Sequence, residues 1–406
     1  MNREVESIIF DLEYKIDINI DIDVMNLIRK VRELEIINNN LLTPEDIMKE
    51  YHIIALTYYR ENKYKESISI SKIVSEYARD INDEYYLAKS YGWIALNNLF
   101  LGNITKFEKY YNRSQNLFVK LEEYEDIALL TSRVLVVMCR NGYSKIALEE
   151  YLEKAMSYLE RFHTKLSAQI YMSIASVYSI GLNNFEIAID LYSKALEIAR
   201  EYNILEIEAM ILYYIGVGYY ELNIPSKTIE TFNNILSDER FKDSIVMNAI
   251  VALDLIGVHV DNRIDLNKVD KIIEVCENSI NKLDYIKKEQ YSVQLDLYKI
   301  KYYISTNKVN TIEAIELLNN AKKIYIKYGT SFIFTQVDFW IHQLFGVIYL
   351  HLGEYSEAIE AHNIALELSY NYQIRYTIES YEDLSRVYEK MGDYENALRS
   401  EEHTSE

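Results

Sequence analysis

A small side chain returns along this chain at a nearly constant interval of about forty residues. The recurring position falls at residues 55, 95, 135, 175, 216, 257, 298, 346 and 385, and it is most often Ala or Gly. The residue before it is Ile, Val, Leu or Phe every time. Self-similarity at a fixed period is the signature of a repeat architecture. We therefore predict one structural unit that is repeated about nine times.

Each repeat is predicted to be a pair of helices, A and B, joined by a short turn. A large residue, often Tyr, follows the recurring position by three, and another small residue follows by about twelve, which are helical spacings. Turn-forming residues occupy 61–64, 101–103, 140–142, 352–355 and 391–394. One helical hairpin cannot bury both of its faces, so neighbouring hairpins must stack. The expected fold is an all-α solenoid over 41–398.

Composition excludes several alternatives. Only 2 Pro and 11 Gly occur in 406 residues, which are too few turn-forming residues for a chain of many strands and tight turns. The formal net charge of −20 repels phosphate backbones and anionic lipid, so we expect neither nucleic acid nor a membrane as partner. Cys139 and Cys276 are far apart, which favours reduced thiols in the cytoplasm over a disulfide or zinc site.

Three segments resemble tetratricopeptide repeats. They are ASVYSIGLNNFEIAIDLYSKALEIA at 175–199, residues 345–369, and LSRVYEKMGDYENAL at 384–398. Each is similar to the family pattern of Leu-Gly/Ala-x-x-Tyr followed by Gly, Tyr and spaced Ala residues. The resemblance covers roughly residues 45–398, and it implies a right-handed superhelical solenoid of about nine hairpins that binds a protein or peptide. The forty-residue period exceeds the family's usual thirty-four, and units of this length resemble those of bacterial peptide-sensing and signalling solenoids.

Some parts of the chain depart from this pattern. Tyr298 replaces the small residue and Lys301 replaces the Tyr in the seventh repeat, which leaves its packing open. Residues 1–40 are predicted to form an N-terminal capping helical hairpin. The last eight residues, RSEEHTSE at 399–406, resemble the translation of a sequencing-library adapter, the alternative being an ordinary charged tail. We therefore expect the true C-terminal domain to be missing after Leu398.

No motif for catalysis or for a cofactor is present. The sequence lacks a Walker loop and the HExxH and GxSxG patterns. His342, His351 and His362 have spacings that match no metal-ligand motif. We expect no enzymatic activity from the residues present, no cofactor and no metal.

In tetratricopeptide proteins the concave groove is built by helix A residues beside the small position. In the first six repeats those positions look apolar and aromatic, which suits an amphipathic helix or an apolar peptide. The alternative is that they only pack between neighbouring helices. Family members that clamp a terminal carboxylate place Asn and Lys in these positions, and this chain does not. The predicted groove residues, which include three cations for a peptide's acidic groups, are Leu56, Tyr59, Lys89, Leu96, Arg133, Val136, Arg140, Val217 and Tyr220.

Two functional hypotheses follow from the resemblance. The first is the sensory or interaction region of a truncated bacterial signal-transduction protein, such as a diguanylate cyclase with a GGDEF domain, which could form a homodimer through the missing C-terminal region. The alternative is a free-standing peptide-sensing regulator of the quorum-sensing type, or an assembly scaffold. Fold alone does not decide between them.

Overall fold

The structure is a computed structural model that describes residues 43–402, apart from 335 and 373. In this part of the chain there are eighteen α-helices and no strand, which confirms the all-α prediction. The helices are α1 (Pro44–Arg60), α2 (Tyr64–Asp80), α3 (Glu84–Phe100), α4 (Ile104–Lys120), α5 (Tyr124–Arg140), α6 (Lys145–Leu159), α7 (Lys165–Ser176), α8 (Phe185–Glu201), α9 (Leu205–Glu221), α10 (Pro225–Ser237), α11 (Ile245–Asp261), α12 (Val269–Ile280), α13 (Tyr285–Ser305), α14 (Thr311–Tyr328), α15 (Val337–Leu352), α16 (Tyr355–Ser369), α17 (Ile374–Met391) and α18 (Tyr394–Glu402).

The helices form consecutive A and B pairs within two compact units. The first unit covers residues up to Leu222, and the second begins at Asn223. In the first unit the pairs α1–α2, α3–α4, α5–α6 and α7–α8 are packed hairpins, followed by α9 as a fifth A helix. In the second unit α11–α12, α13–α14, α15–α16 and α17–α18 are packed hairpins. Every recurring small position lies on an A helix, so the sequence repeat and the helical repeat coincide.

Left-handed turn residues recur at half the sequence period. Each of α1 to α5 has 17 residues and the turns between them occupy three residues each, so consecutive helices begin twenty residues apart. A forty-residue repeat is therefore two equal helices and two equal turns. Asn and Gly, which tolerate positive φ best, supply most of the left-handed residues. The left-handed residues of this series are Asn62, Asn82, Gly102, Glu122, Gly142, Asn183, Asn203 and Asn223.

The fourth repeat contains one additional residue in its A helix. The left-handed residue follows the small position by seven in the first repeat, from Ala55 to Asn62, but by eight in the fourth, from Ala175 to Asn183. The extra residue is taken up where α7 continues into a π-helical turn, Val177–Gly181. Without this turn the later residues of the helix would be rotated off the packed face.

Small and polar residues hold the first hairpins together. Ala55, Ala95 and Ala175 are almost completely buried, as close helix packing requires. The Ser67 hydroxyl on α2 donates to the Ala55 carbonyl on α1 over 2.8 Å. The Asn97 amide on α3 donates to the Ser67 oxygen over 3.1 Å, so one buried chain of hydrogen bonds joins three successive helices.

In the seventh repeat a large residue takes the place of the small one, and a glycine of the sixth repeat lies opposite it. A Cβ atom placed on Gly257 of α11 would lie 2.9 Å from the ring of Tyr298 on α13, so the glycine makes room for the tyrosine. Lys301 fills the expected Tyr position, with its ammonium 3.8 Å from the centre of the Trp340 ring and 3.0 Å from an Asp261 oxygen. The departures noted in the sequence are therefore compensated by residues of adjacent repeats.

The two predicted terminal segments are only partly described. The capping hairpin over 1–40 lies outside the described residues. Helix α18 continues through Arg399 to Glu402, and residues 403–406 are outside the described part, so the adapter interpretation of 399–406 stays a prediction. None of the described helices combines the length and apolar character needed to cross a bilayer.

Candidate functional site

Two rows of A-helix side chains in the first unit change from buried to half-buried at the third repeat. One row lies two residues before the small position, and the other lies one residue after it. In both rows the members from the first two repeats are buried, and those from the third to the fifth are half-buried. The half-buried members together with Arg140 form a surface that we call the A-helix face. Its residues are Arg133, Val136, Arg140, Ser173, Ser176, Tyr214 and Val217.

The first two repeats do not carry an open groove. Leu56 and Leu96 are 1% and 0% exposed, so the prediction that they line an open groove is wrong, and Leu96 contributes only to the wall of a water-sized pocket. Both belong to a buried core cluster that contains Trp93 and against which Tyr59 and Phe100 pack. The ring of Tyr59 lies 4.9 Å from that of Trp93 and 5.7 Å from that of Phe100, so the aromatic residues of the first two repeats are packed together here.

Helix α5 carries the centre of the A-helix face. Arg133, Val136 and Arg140 are separated by three and four residues, which places them along one side of the helix. Arg133 and Val136 are half-buried and Arg140 is exposed. Helix α5 also contacts the A helices on both sides, α3 and α7, so its exposed stripe is bordered by neighbouring repeats.

One end of this stripe is a small charged pocket. Lys89, Leu96 and Arg133, three of the predicted residues, line it together with Trp93 and Asp126. Its volume is about 20 Å³, which is room for roughly one water molecule. The guanidinium of Arg133 lies 4.7 Å from the centre of the Trp93 ring, a favourable cation–π distance. The pocket is therefore lined by charged side chains of both signs, Lys89 and Arg133 on one hand and Asp126 on the other.

The other end of the stripe is Arg140, which closes α5. Burial raises the pKa of Tyr64 and of Tyr214, and the positive charge of Arg140 lowers both pKa values in part. The next residue, Asn141, donates through its side chain to the Leu99 carbonyl over 3.3 Å, which ties this end of α5 to α3.

The fifth A helix, α9, contributes an aromatic border. Tyr214 stacks on Tyr192 with ring centres 5.4 Å apart, and the Tyr192 hydroxyl lies 3.0 Å from the Ser176 hydroxyl. Val217 and Tyr220, both predicted, are half-buried on the same helix. Ser173 and Tyr214 were not predicted from the sequence, although they stand two residues before the small position, as Arg133 does.

The chemistry of this face is that of binding. It offers guanidinium groups, hydroxyl groups and partly exposed apolar side chains. These groups can pair with carboxylates, accept and donate hydrogen bonds and cover apolar residues of a ligand. Among the residues that the structure describes, no group of three His, Cys, Asp or Glu side chains is arranged to hold a metal ion.

Comparison with known families identifies repeats in both units. Residues 168–202 and residues 339–406 each match the tetratricopeptide repeat family. The first match covers the fourth hairpin, α7 and α8, and the second covers most of α15 to α18. No curated protein sequence matches the chain.

Two solved structures show the same fold. The chain is similar to the apo form of the quorum sensor NprR from B. thuringiensis, with a TM-score of 0.56 and 14% identity over 99% of this chain and 98% of that one. It is also similar to aspartyl phosphate phosphatase F from Bacillus subtilis, with a TM-score of 0.53 and 11% identity over 91% and 94% of the two chains. The two repeat matches and these fold likenesses support an all-α helical solenoid of the tetratricopeptide-repeat type.

Proposed function

We propose that this chain is a peptide-binding regulator that takes its ligand on the A-helix face of the third to fifth repeats. The observation that carries the proposal is the change at the third repeat. Equivalent positions are filled and closed in the first two repeats but leave charged, hydroxyl and apolar side chains accessible from Arg133 onward. Side chains that only pack between helices would be buried equally along the rows.

The choice of a peptide ligand has two supports. Tetratricopeptide repeats are protein-binding modules, and two segments of the chain match them. One structural neighbour that covers nearly all of the chain is described as a quorum sensor. We therefore favour a free-standing sensor, with binding and not catalysis as the activity of these residues. The sensory region of a diguanylate cyclase stays a prediction, since neither structural neighbour is described as one.

A pair of matched variants tests the location of the site. Val217→Trp fills the A-helix face, whereas Val119→Trp adds the same side chain to an exposed position of helix B in the same unit. We would screen a library of fluorescein-labelled nonapeptides by fluorescence polarisation and carry the tightest binders forward.

We expect Val217→Trp to weaken these peptides at least about tenfold, which corresponds to about 1.4 kcal/mol of binding free energy. The Val119→Trp variant should bind as the unchanged protein does. Circular dichroism of both variants controls for folding. Equal affinity of the two folded variants would show that the site does not include α9. If no peptide in the library binds, the proposal is refuted.

A further inference from the structure

An A helix of the second unit carries a stripe of half-buried polar side chains. On α13, the side chains of Ser292, Asp296, Lys299 and Tyr303 are all half-buried. Their spacing of four, three and four residues places them along one side of the helix. Helix α13 contacts the A helices on both sides, α11 and α15, so neighbouring repeats border this side. We call these four residues the α13 stripe.

The equivalent positions are apolar and buried in the preceding repeat. Asp296 and Lys299 stand two residues before and one residue after the repeat position at Tyr298. In the sixth repeat the same two positions hold Leu255 and Val258, which are 0% and 3% exposed. Packing between A helices is therefore satisfied by aliphatic side chains at these positions and does not require a carboxylate.

The carboxylate of Asp296 has no hydrogen bond or ion pair within the residues that the structure describes. Lys299 is one turn away on the same helix, but its ammonium lies 2.5 Å from an oxygen of Glu277 on α12. Other buried or half-buried acids of the second unit have partners. They include Asp238, Glu277, Glu289, Asp338, Asp383 and Asp393.

A half-buried carboxylate without a partner is unfavourable for folding. Burial raises the pKa of Asp296 to about 6, although the charge of Lys299 lowers this pKa in part. An ionised group that is poorly solvated and unpaired reduces the stability of the folded chain. Such a residue at a half-buried surface is a candidate for binding, because it contributes nothing to the fold itself.

Ser292 supplies a second acceptor next to Asp296. Its hydroxyl makes no side-chain hydrogen bond in the described part of the chain. Residues four apart on a helix have Cβ atoms about 5–6 Å apart. An ammonium group has three N–H donors and a guanidinium group has five, so either can bond to the carboxylate and the hydroxyl together. The net charge of −20 also attracts cationic ligands to the protein.

We propose that the α13 stripe is a binding site for a cationic side chain, in which Asp296 pairs with the ammonium or guanidinium group of a Lys or Arg of a protein ligand and Ser292 accepts a second hydrogen bond from it. A protein ligand is favoured because residues 339–406 of the same unit match the tetratricopeptide repeat family. This inference goes beyond the proposed function, since the site lies in the second unit and neither site requires the other.

Hydration offers a simpler role for Asp296. Water at the open side of the stripe would solvate the carboxylate without any ligand. The two explanations differ in outcome. A hydrated carboxylate shows no preference for a cationic over a neutral side chain, and its removal leaves the binding of either unchanged.

The test measures the binding of single side-chain probes to the full chain by ligand-observed NMR at millimolar concentrations. The probes are Nα-acetyl-lysinamide, Nα-acetyl-argininamide and the neutral Nα-acetyl-glutaminamide. We expect the two cationic probes to bind and the neutral probe not to bind. Binding should be about tenfold weaker at about pH 5 than at about pH 7, because a carboxylate with a pKa of about 6 is mostly protonated there. Ordinary surface carboxylates stay ionised at that pH.

Matched variants then locate the contact. Asp296→Asn should weaken the cationic probes at least about tenfold and remove the pH dependence. Glu274→Gln, which removes an exposed carboxylate from α12 in the same unit, should keep both. Ser292→Ala should weaken the probes severalfold, and it tests the site independently if Asp296→Asn does not fold by circular dichroism.

Three results would overturn the inference. They are equal binding of the neutral and cationic probes, an equal loss in Asp296→Asn and Glu274→Gln, and the absence of any binding to the unchanged chain. None of them bears on the peptide site of the first unit, which Val217→Trp tests separately.

Discussion

The closest glycine contact in the second unit gives a stability prediction with a defined magnitude. A Cβ atom on Gly346 of α15 would lie 2.5 Å from two ring atoms of His362 on α16. That ring is only 1% exposed, so it has no space into which it can move. Overpacking of this kind costs up to about 3 kcal/mol. The higher helix propensity of Ala returns about 1 kcal/mol. We therefore expect Gly346→Ala to lower the free energy of unfolding by about 2 kcal/mol.

A double-mutant cycle separates the contact from other effects. In a His362→Ala background the ring is absent, so Gly346→Ala should instead stabilise the protein by up to about 1 kcal/mol through helix propensity alone. Urea unfolding of the four proteins, followed by circular dichroism, measures the free energies. The same sign of effect in both backgrounds would refute the account of the packing between α15 and α16.

Two further predictions concern ionisable side chains in the second unit. Burial lowers the pKa of His362 to about 4 and raises the pKa of Asp383 to about 6. Lowering the pH therefore reduces the free energy of unfolding through the histidine below about pH 6.5. It increases the free energy of unfolding through the aspartate below about pH 6. Between pH 7 and pH 5, urea unfolding should therefore show His362→Gln losing less stability than the unchanged protein and Asp383→Asn losing more; parallel curves would contradict this. Lys301→Met should cost roughly 1–2 kcal/mol, because it removes the cation from the Trp340 ring and from Asp261; an unchanged thermal midpoint would show that the contact contributes nothing.

Much of the fold could be predicted from the sequence, because the spacing of the small residues indicates where the A helices lie. The small positions at Ala55, Ala95 and Ala175 placed the A helices correctly, since close helix packing admits little else there. The reason for the longer period was not evident, because it depends on helix length and on turn residues such as Asn62 and Asn82. A single extra residue in one repeat does not by itself predict a π-helical turn.

The candidate site was predictable in part only. The helical spacing of Arg133, Val136 and Arg140 follows from residue numbers, and the structure places these three on one stripe. Burial does not follow from residue numbers. Leu56 and Leu96 have the same position in the repeat as Val136, but they are buried in a core cluster that also contains Trp93. Which members of a row remain accessible is decided by the residues of adjacent repeats, and that information requires coordinates.

Hydrogen exchange of the full chain, with and without the tightest-binding peptide of the library, tests the central claim most directly. Our account predicts that bound peptide slows exchange in α5, α7 and α9, around Arg140, Ser176 and Val217, and leaves α11 to α18 unchanged. Slower exchange confined to the B helices or to the second unit would contradict it.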